Sequence, residues 1–185
     1  MKVSTPSVKI LIVLVISIIA WTAVIYFIGA DTIVEKIGVQ NGLLIMFLVS
    51  LLGGMSSIGG ATYVATAATL ASGGLNPIEI ALAAAVGTVI GDTFYFVSSR
   101  YGADYLQTTE VGERLKKFSD WLVRQPGYLR AIAIYVYTAF TPLPNDVLTI
   151  TLGLTKQPYL MVITALALGN FTFVLLIATF GSSLF

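Results

Sequence analysis

Cysteine and histidine are both absent from the 185 residues. Without them there is no thiol-based metal or redox centre, and no imidazole for general acid–base catalysis. Charge is scarce as well: ten Lys and Arg against nine Asp and Glu leave a net +1, with none of the basic excess that nucleic-acid binding draws on. No nucleophile–base set or metal cluster is visible either, so the chain is not expected to be an enzyme, to carry a cofactor or metal, or to bind nucleic acid.

What the chain has in abundance is apolar surface. Hydrophobic residues make up 57% of it and the mean hydropathy is +0.91, more than a soluble domain of this size can keep out of water. The expectation is an all-α integral membrane protein. Its first apolar run, Ile10 to about Gly29 behind Lys2 and Lys9, has roughly the 20 residues that cross a bilayer and no clear cleavage site after it. It reads as a retained transmembrane helix, followed by an external loop to residue 39.

Four apolar pieces follow. Residues 42–72 are interrupted at Gly53-Gly54 and Gly59-Gly60; residues 77–99 form a cleaner run opened by Pro77; residues 129–154 are broken by Pro142-Leu143-Pro144-Asn145-Asp146; residues 158–183 form the last run. Between the second and third lies the polar segment 100–128. Basic residues concentrate before the first run and around this segment, so both regions are expected on the cytoplasmic side.

An even number of crossings must then separate them, yet three apolar pieces lie between. The glycine pairs leave arms of roughly 11 residues in 42–72, about 16 Å of helix each and half a bilayer. That piece is therefore expected to be a re-entrant hairpin, as is 129–154. Irregular backbone at such depth is tolerated only inside protein or along a wet cavity.

TLASGGLNPIEIALAAAVGT (69–88) and TLGLTKQPYLMVITALALGN (151–170) align loosely. Each half, 40–99 and 129–185, then reads as a hairpin followed by a full span. The expected architecture is an inverted repeat, a plan in which transporters bind where the broken elements meet.

Few residues within these pieces carry chemistry. Asp92 lies inside an apolar run, where a carboxylate costs on the order of 2.5–3.5 kcal/mol on insertion scales and is a functional candidate; the plainer role is a hydrogen bond to a neighbouring helix. Asp146, with Asn145, sits at the second break. The pair can cap the following helical arm, or line a polar path in which a carboxylate repels anions unless protonated or paired. Arg100 and Arg130 flank the cytoplasmic segment, to anchor it at the headgroups or to receive a lipid phosphate. Asp92 and Arg100 are two turns apart on one helix face, about 12 Å in rise. The amphipathic stretch within 111–130, with Trp121, is expected on the membrane surface.

The block GDTFYFVSSRYG (91–102) resembles the G-D-x-x-x-Y-x-x-G-R-x-G signature of the DedA family, which shares the VTT or SNARE-associated Golgi protein domain. FTPLPNDVLTITLGLTKQPYLMVITALALGN resembles that family's second hairpin and final helix. The likeness covers about residues 40–183. Carried over by position, Gly91, Asp92, Arg100 and Gly102 match the first motif, with Tyr95 one place before its tyrosine, and Pro142, Pro144 and Gly153 match the second hairpin. The chain departs from the family in having no acidic residue in the first hairpin and no arginine at the second tip.

The resemblance implies paired re-entrant helices and lipid movement: polyprenyl phosphate recycling in bacterial members, phospholipid scrambling in eukaryotic relatives. The function expected is thus a lipid flippase or scramblase of the cell membrane, with the N-terminus cytoplasmic. Its partners would be membrane lipids with anionic headgroups, coupling protons and a second copy of the chain. A proton- or cation-coupled carrier of a small solute, and a non-transporting assembly factor, are the alternatives.

Overall fold

The computed structural model describes residues 36, 38–53, 60–106, 121, 124–141 and 145–181. Six helices and no strand are found among them: α1 (Val39–Gly53), α2 (Gly60–Ser72), α3 (Pro77–Leu106), α4 (Gly127–Phe140), α5 (Asn145–Leu154) and α6 (Tyr159–Gly181). The N-terminal run, the breaks at Gly54, Gly59, Pro142 and Pro144, and most of 111–130 lie outside the described residues.

Local chemistry accounts for the helix ends. Asn76 accepts the Ile78 amide on its Oδ1 at 2.9 Å, and Pro77 occupies the first helical position, where a missing N–H costs nothing. At the other side of α4, Thr141 is extended (φ −111°, ψ 130°) because the proline after it disfavours helical backbone there.

The turns after α2 and α5 close alike. Leu75 N bonds Leu70 O at 3.1 Å and Gly74 N bonds Ala71 O at 3.0 Å; Gln157 N bonds Leu152 O at 3.2 Å and Lys156 N bonds Gly153 O at 2.9 Å. Both are Schellman closures, which need one left-handed residue. Gly74 supplies it at φ +89° and Lys156 at φ +53°.

Among the described residues, α3 and α6 are the two helices long and apolar enough to cross a membrane, over Pro77–Tyr101 and Tyr159–Gly181. The helix of α3 runs on to Leu106, past residue 99 where hydropathy falls. Backbone bonding, and not apolarity, sets where a helix ends. The other four helices have 15, 13, 14 and 10 residues, about 15–22 Å at 1.5 Å per residue, against a hydrocarbon core of about 30 Å.

The outer face of α3 bears a continuous apolar stripe. Ile78, Leu82, Val86, Ile90, Phe94, Val97 and Tyr101 are exposed, three or four residues apart, which is one helix face about 34 Å long. Leu44, Leu48 and Leu52 do the same on α1, and Ile132, Val136 and Phe140 on α4. Single exposed apolar residues are ordinary, but unbroken stripes at bilayer length are not. The surface is that of a helical membrane protein. Hydroxyls fit this medium too: Ser50, Thr69, Thr88 and Thr138 each donate to a backbone carbonyl four residues back, so none of these four donors is left facing hydrocarbon.

The helices α3 and α6 pack against each other and run antiparallel. The start of α3 (Ile80, Ala81, Ala84) clusters with the end of α6 (Val174, Ala178) and with Met46 of α1 and Tyr63, Ala67 and Leu70 of α2. The later part of α3 (Phe96) clusters with the start of α6 (Val162, Leu166), Ile134 of α4 and Leu148 and Leu152 of α5. Each first arm packs on its own long helix, α1 on α3 and α4 on α6; each second arm packs on the other's, α5 on α3 and α2 on α6.

Close approach depends on small residues. A Cβ on Gly87 would lie 2.5 Å from Phe47 O and 2.8 Å from Ser50 Cβ; one on Gly169 would lie 2.6 Å from Thr138 Cβ.

Candidate functional site

Along α3, Asp92 falls between the residues of the two apolar clusters, and Asn170 does so along α6. The two side chains meet there. Asn170 Nδ2 donates to Asp92 Oδ2 at 3.2 Å, and Asn145 Nδ2 donates to Asn170 Oδ1 at 2.9 Å. Asp92 is fully buried, and Asn170 and Asp146 are nearly so. One carboxamide thus ties the two long helices to the first turn of α5.

Asp146 lies on that first turn, and its charge acts on Asp92 with the same sign. Thr149, one turn further along α5 and fully buried, faces the Asp92 carboxylate. A threonine hydroxyl is a donor, and it serves the Asp92 carboxylate as Asn170 does. Tyr63 of α2 stacks its ring on Phe173 at 6.4 Å and lies within electrostatic reach of Asp92; its buried hydroxyl has no hydrogen-bond partner among the described residues.

A second polar group forms at one end of the bundle. Gln157, in the turn between α5 and α6, is 3% exposed. Arg100 Nη1 donates to its backbone oxygen at 3.4 Å, and Arg130 Nη1 donates to its side-chain Oε1. Arg130 keeps a buried Nε without a partner among the described residues. The two guanidinium groups therefore converge on one turn from α3 and α4. Beside Arg130, between α4 and α6, runs an outward-opening groove of about 500 Å³ lined by residues that include Ala131, Ile132, Tyr135, Leu160, Met161 and Leu168.

The residues singled out from the sequence thus fall into two places. Asp92, Asn145 and Asp146 come together in the middle layer, and Arg100 and Arg130 come together at the end. Gly53 ends α1 and Gly60 begins α2. Asn170, Thr149, Tyr63 and Gln157 were not legible beforehand. An asparagine within the apolar run of α6 was the one signal available, since polar side chains at membrane depth seek partners on neighbouring helices.

Comparison of the chain with family models, curated proteins and solved structures finds no match. Chemistry alone must therefore speak for the site. The middle layer can hold a proton or a cation among oxygens. The arginine pair can hold an anion.

Proposed function

We propose that the chain is a lipid transporter built as an inverted repeat, with two re-entrant hairpins, α1–α2 and α4–α5, each preceding a full span. Support for the repeat comes from correspondences between the two halves. Leu70, Ala71, Gly74 and Leu75 match Leu152, Gly153, Lys156 and Gln157 in both bonds and left-handed backbone. Gly87 against Phe47 and Ser50 matches Gly169 against Tyr135 and Thr138. The antiparallel long helices and the exchanged second arms fit a pseudo-two-fold axis in the membrane plane.

The observation that carries the lipid reading is the convergence of Arg100 and Arg130 on Gln157, together with an open apolar groove whose lining begins at Ala131, next in the chain to Arg130. Guanidinium groups hold phosphate oxygens through charge-assisted hydrogen bonds. An apolar trough starting one residue from Arg130 suits an acyl or polyprenyl tail. A substrate with a phosphate head and a hydrocarbon tail meets both; a small solute meets only one. The headgroup then follows the middle layer, where Asp92, Asn170, Asn145 and Asp146 interrupt the apolar packing.

The buried carboxylates favour a second reading, a proton- or cation-coupled carrier of a small solute. Vesicles reconstituted with purified protein separate the two. Fluorescent phospholipid and a polyprenyl phosphate, tested separately, are expected to cross with wild type and to be held back by a folded Asp146→Asn variant. Absence of movement of either lipid with wild type refutes the lipid reading and leaves ion-coupled solute uptake to be measured.

A further inference from the structure

We infer that the carboxamide of Gln157 occupies the seat of the headgroup phosphate on Arg130, and that a phosphate must displace it to bind. The inference deepens the lipid reading and rests on it for the identity of the ligand. Its starting point is the donor set of Arg130. Nη1 donates to Gln157 Oε1, while Nε is buried with no acceptor among the described residues. A guanidinium presents its five N–H donors in a fixed planar fork, and one carboxamide oxygen cannot serve them all. A phosphate group brings three strong acceptor oxygens and the matching charge to the same place. Arg100 adds to the seat from α3. Its exposed side chain donates to the Gln157 backbone oxygen at 3.4 Å, beyond the usual length of such a bond, so it gives up little in turning to an anion beside Gln157.

The turn itself asks for neither polar residue. Leu75 and Gln157 close the two equivalent turns with the same backbone bond, to Leu70 O and Leu152 O, and both are buried. Their neighbours on the first arms correspond as well. Gly42 precedes Phe47 by as many residues as Arg130 precedes Tyr135, and Phe47 O and Tyr135 O are the carbonyls that face Gly87 and Gly169. Leu75 lies against Gly42, where a Cβ would meet Leu75 Cδ2 at 3.1 Å. The first half thus fills this place with an apolar contact, and the second fills it with a guanidinium and a carboxamide. A buried donor left without an acceptor is destabilising, whereas a leucine packed on a glycine is not. The exchange therefore weakens the second turn in a way that a bound anion offsets. It also puts the phosphate seat in one half of the molecule only, at the end where Arg100 and Arg130 meet.

The test measures phosphate binding by the purified full-length protein in detergent, with inorganic phosphate and a short-chain polyprenyl phosphate as separate probes. The unfolding midpoint is followed over each titration. Gln157→Leu, which copies the turn of the first half, should bind the polyprenyl phosphate about tenfold more tightly than wild type, because one hydrogen bond to a charged group no longer has to be given up. Gln157→Glu keeps an acceptor on Arg130 and adds a charge. It should melt no lower than wild type and yet bind about tenfold more weakly or worse, a combination that a purely structural glutamine does not produce. Binding by Gln157→Leu no tighter than wild type overturns the inference. So does wild-type affinity in Gln157→Glu, which decides the matter even where Gln157→Leu fails to fold, and so does absence of binding of both probes by wild type. Inorganic phosphate held as tightly as the lipid, with the expected shifts in both variants, supports the seat and assigns it to free phosphate. Translocation of the polyprenyl phosphate in vesicles is read separately. Translocation with both variants binding as wild type does sinks the Gln157 seat and leaves the lipid reading standing; the expected shifts in Kd without translocation do the reverse.

Discussion

Replacing Gly87 by alanine tests the packing on which the whole arrangement stands. The new Cβ would sit 2.5 Å from Phe47 O, 2.8 Å from Ser50 Cβ and 2.9 Å from Leu51 N, where ordinary contact begins at 3.4 Å. Two of these three atoms are backbone and cannot rotate away. The helices α1 and α3 would have to separate by about 0.9 Å, the shortfall at Phe47 O. A gap of 0.5–1 Å forfeits about a quarter to a half of each dispersion contact along a seam, and overpacking of this kind costs about 1–3 kcal/mol. For a chain of this length each kcal/mol lowers Tm by roughly 2–4 °C. The assay is thermal unfolding of purified protein in detergent, with Gly60→Ala as control, because a Cβ there meets nothing within 4 Å. Gly87→Ala should melt clearly lower than wild type, and Gly60→Ala should not. Equal midpoints for Gly87→Ala and wild type would falsify the close approach of α1 to α3.

Lys156 holds a left-handed conformation that costs a side-chain-bearing residue about 1–2 kcal/mol, offset in part by the extra freedom glycine has when unfolded. Lys156→Gly should therefore stabilise by about 0.5 kcal/mol and Gly74→Ala should destabilise by about 1–2 kcal/mol, both read as unfolding midpoints; a reversal of the two signs contradicts the turn geometry. Asn170→Leu strips the donor from Asp92 and the acceptor from Asn145. At about 1–3 kcal/mol for each buried group left unpaired, it should lower stability more than Asn170→Gln, and an unaltered midpoint would remove Asn170 from its bridging role. Leu168 is 56% exposed and lines the groove. Leu168→Trp should slow lipid translocation several-fold while stability stays within about 0.5 kcal/mol of wild type; undiminished translocation would take the groove out of the path.

Sequence and structure divide the explanation unevenly. The helical, apolar character and the two long helices were legible, because long runs free of charge leave few alternatives to a membrane helix. Helix limits were less so. Falling hydropathy ends the second span at residue 99, yet hydrogen bonding carries α3 to Leu106. The glycine pairs imply arms of about 11 residues in 42–72, and α1 and α2 have 15 and 13. Asp92, Asn145 and Asp146 stood out as polar residues in greasy surroundings. What joins them did not: Asn170 and Thr149 reach Asp92 only because α6 and α5 cross α3 at that height, a property of tertiary packing that no local pattern encodes. Gln157 was hidden for a similar reason, since a turn glutamine is unremarkable until two arginines converge on it.

In the proposed function a phosphate-bearing lipid crosses the bilayer by way of Arg100 and Arg130. The most direct test is translocation of a polyprenyl phosphate and of a neutral lipid by vesicles carrying wild type or the doubly substituted Arg100→Ala, Arg130→Ala protein. Hydrogen bonds to charged groups contribute about 1.5–3 kcal/mol each, so loss of both should slow the phosphate lipid by roughly tenfold or more and the neutral lipid far less. Equal rates for wild type and the double variant on the phosphate lipid, with the fold intact, would contradict the account.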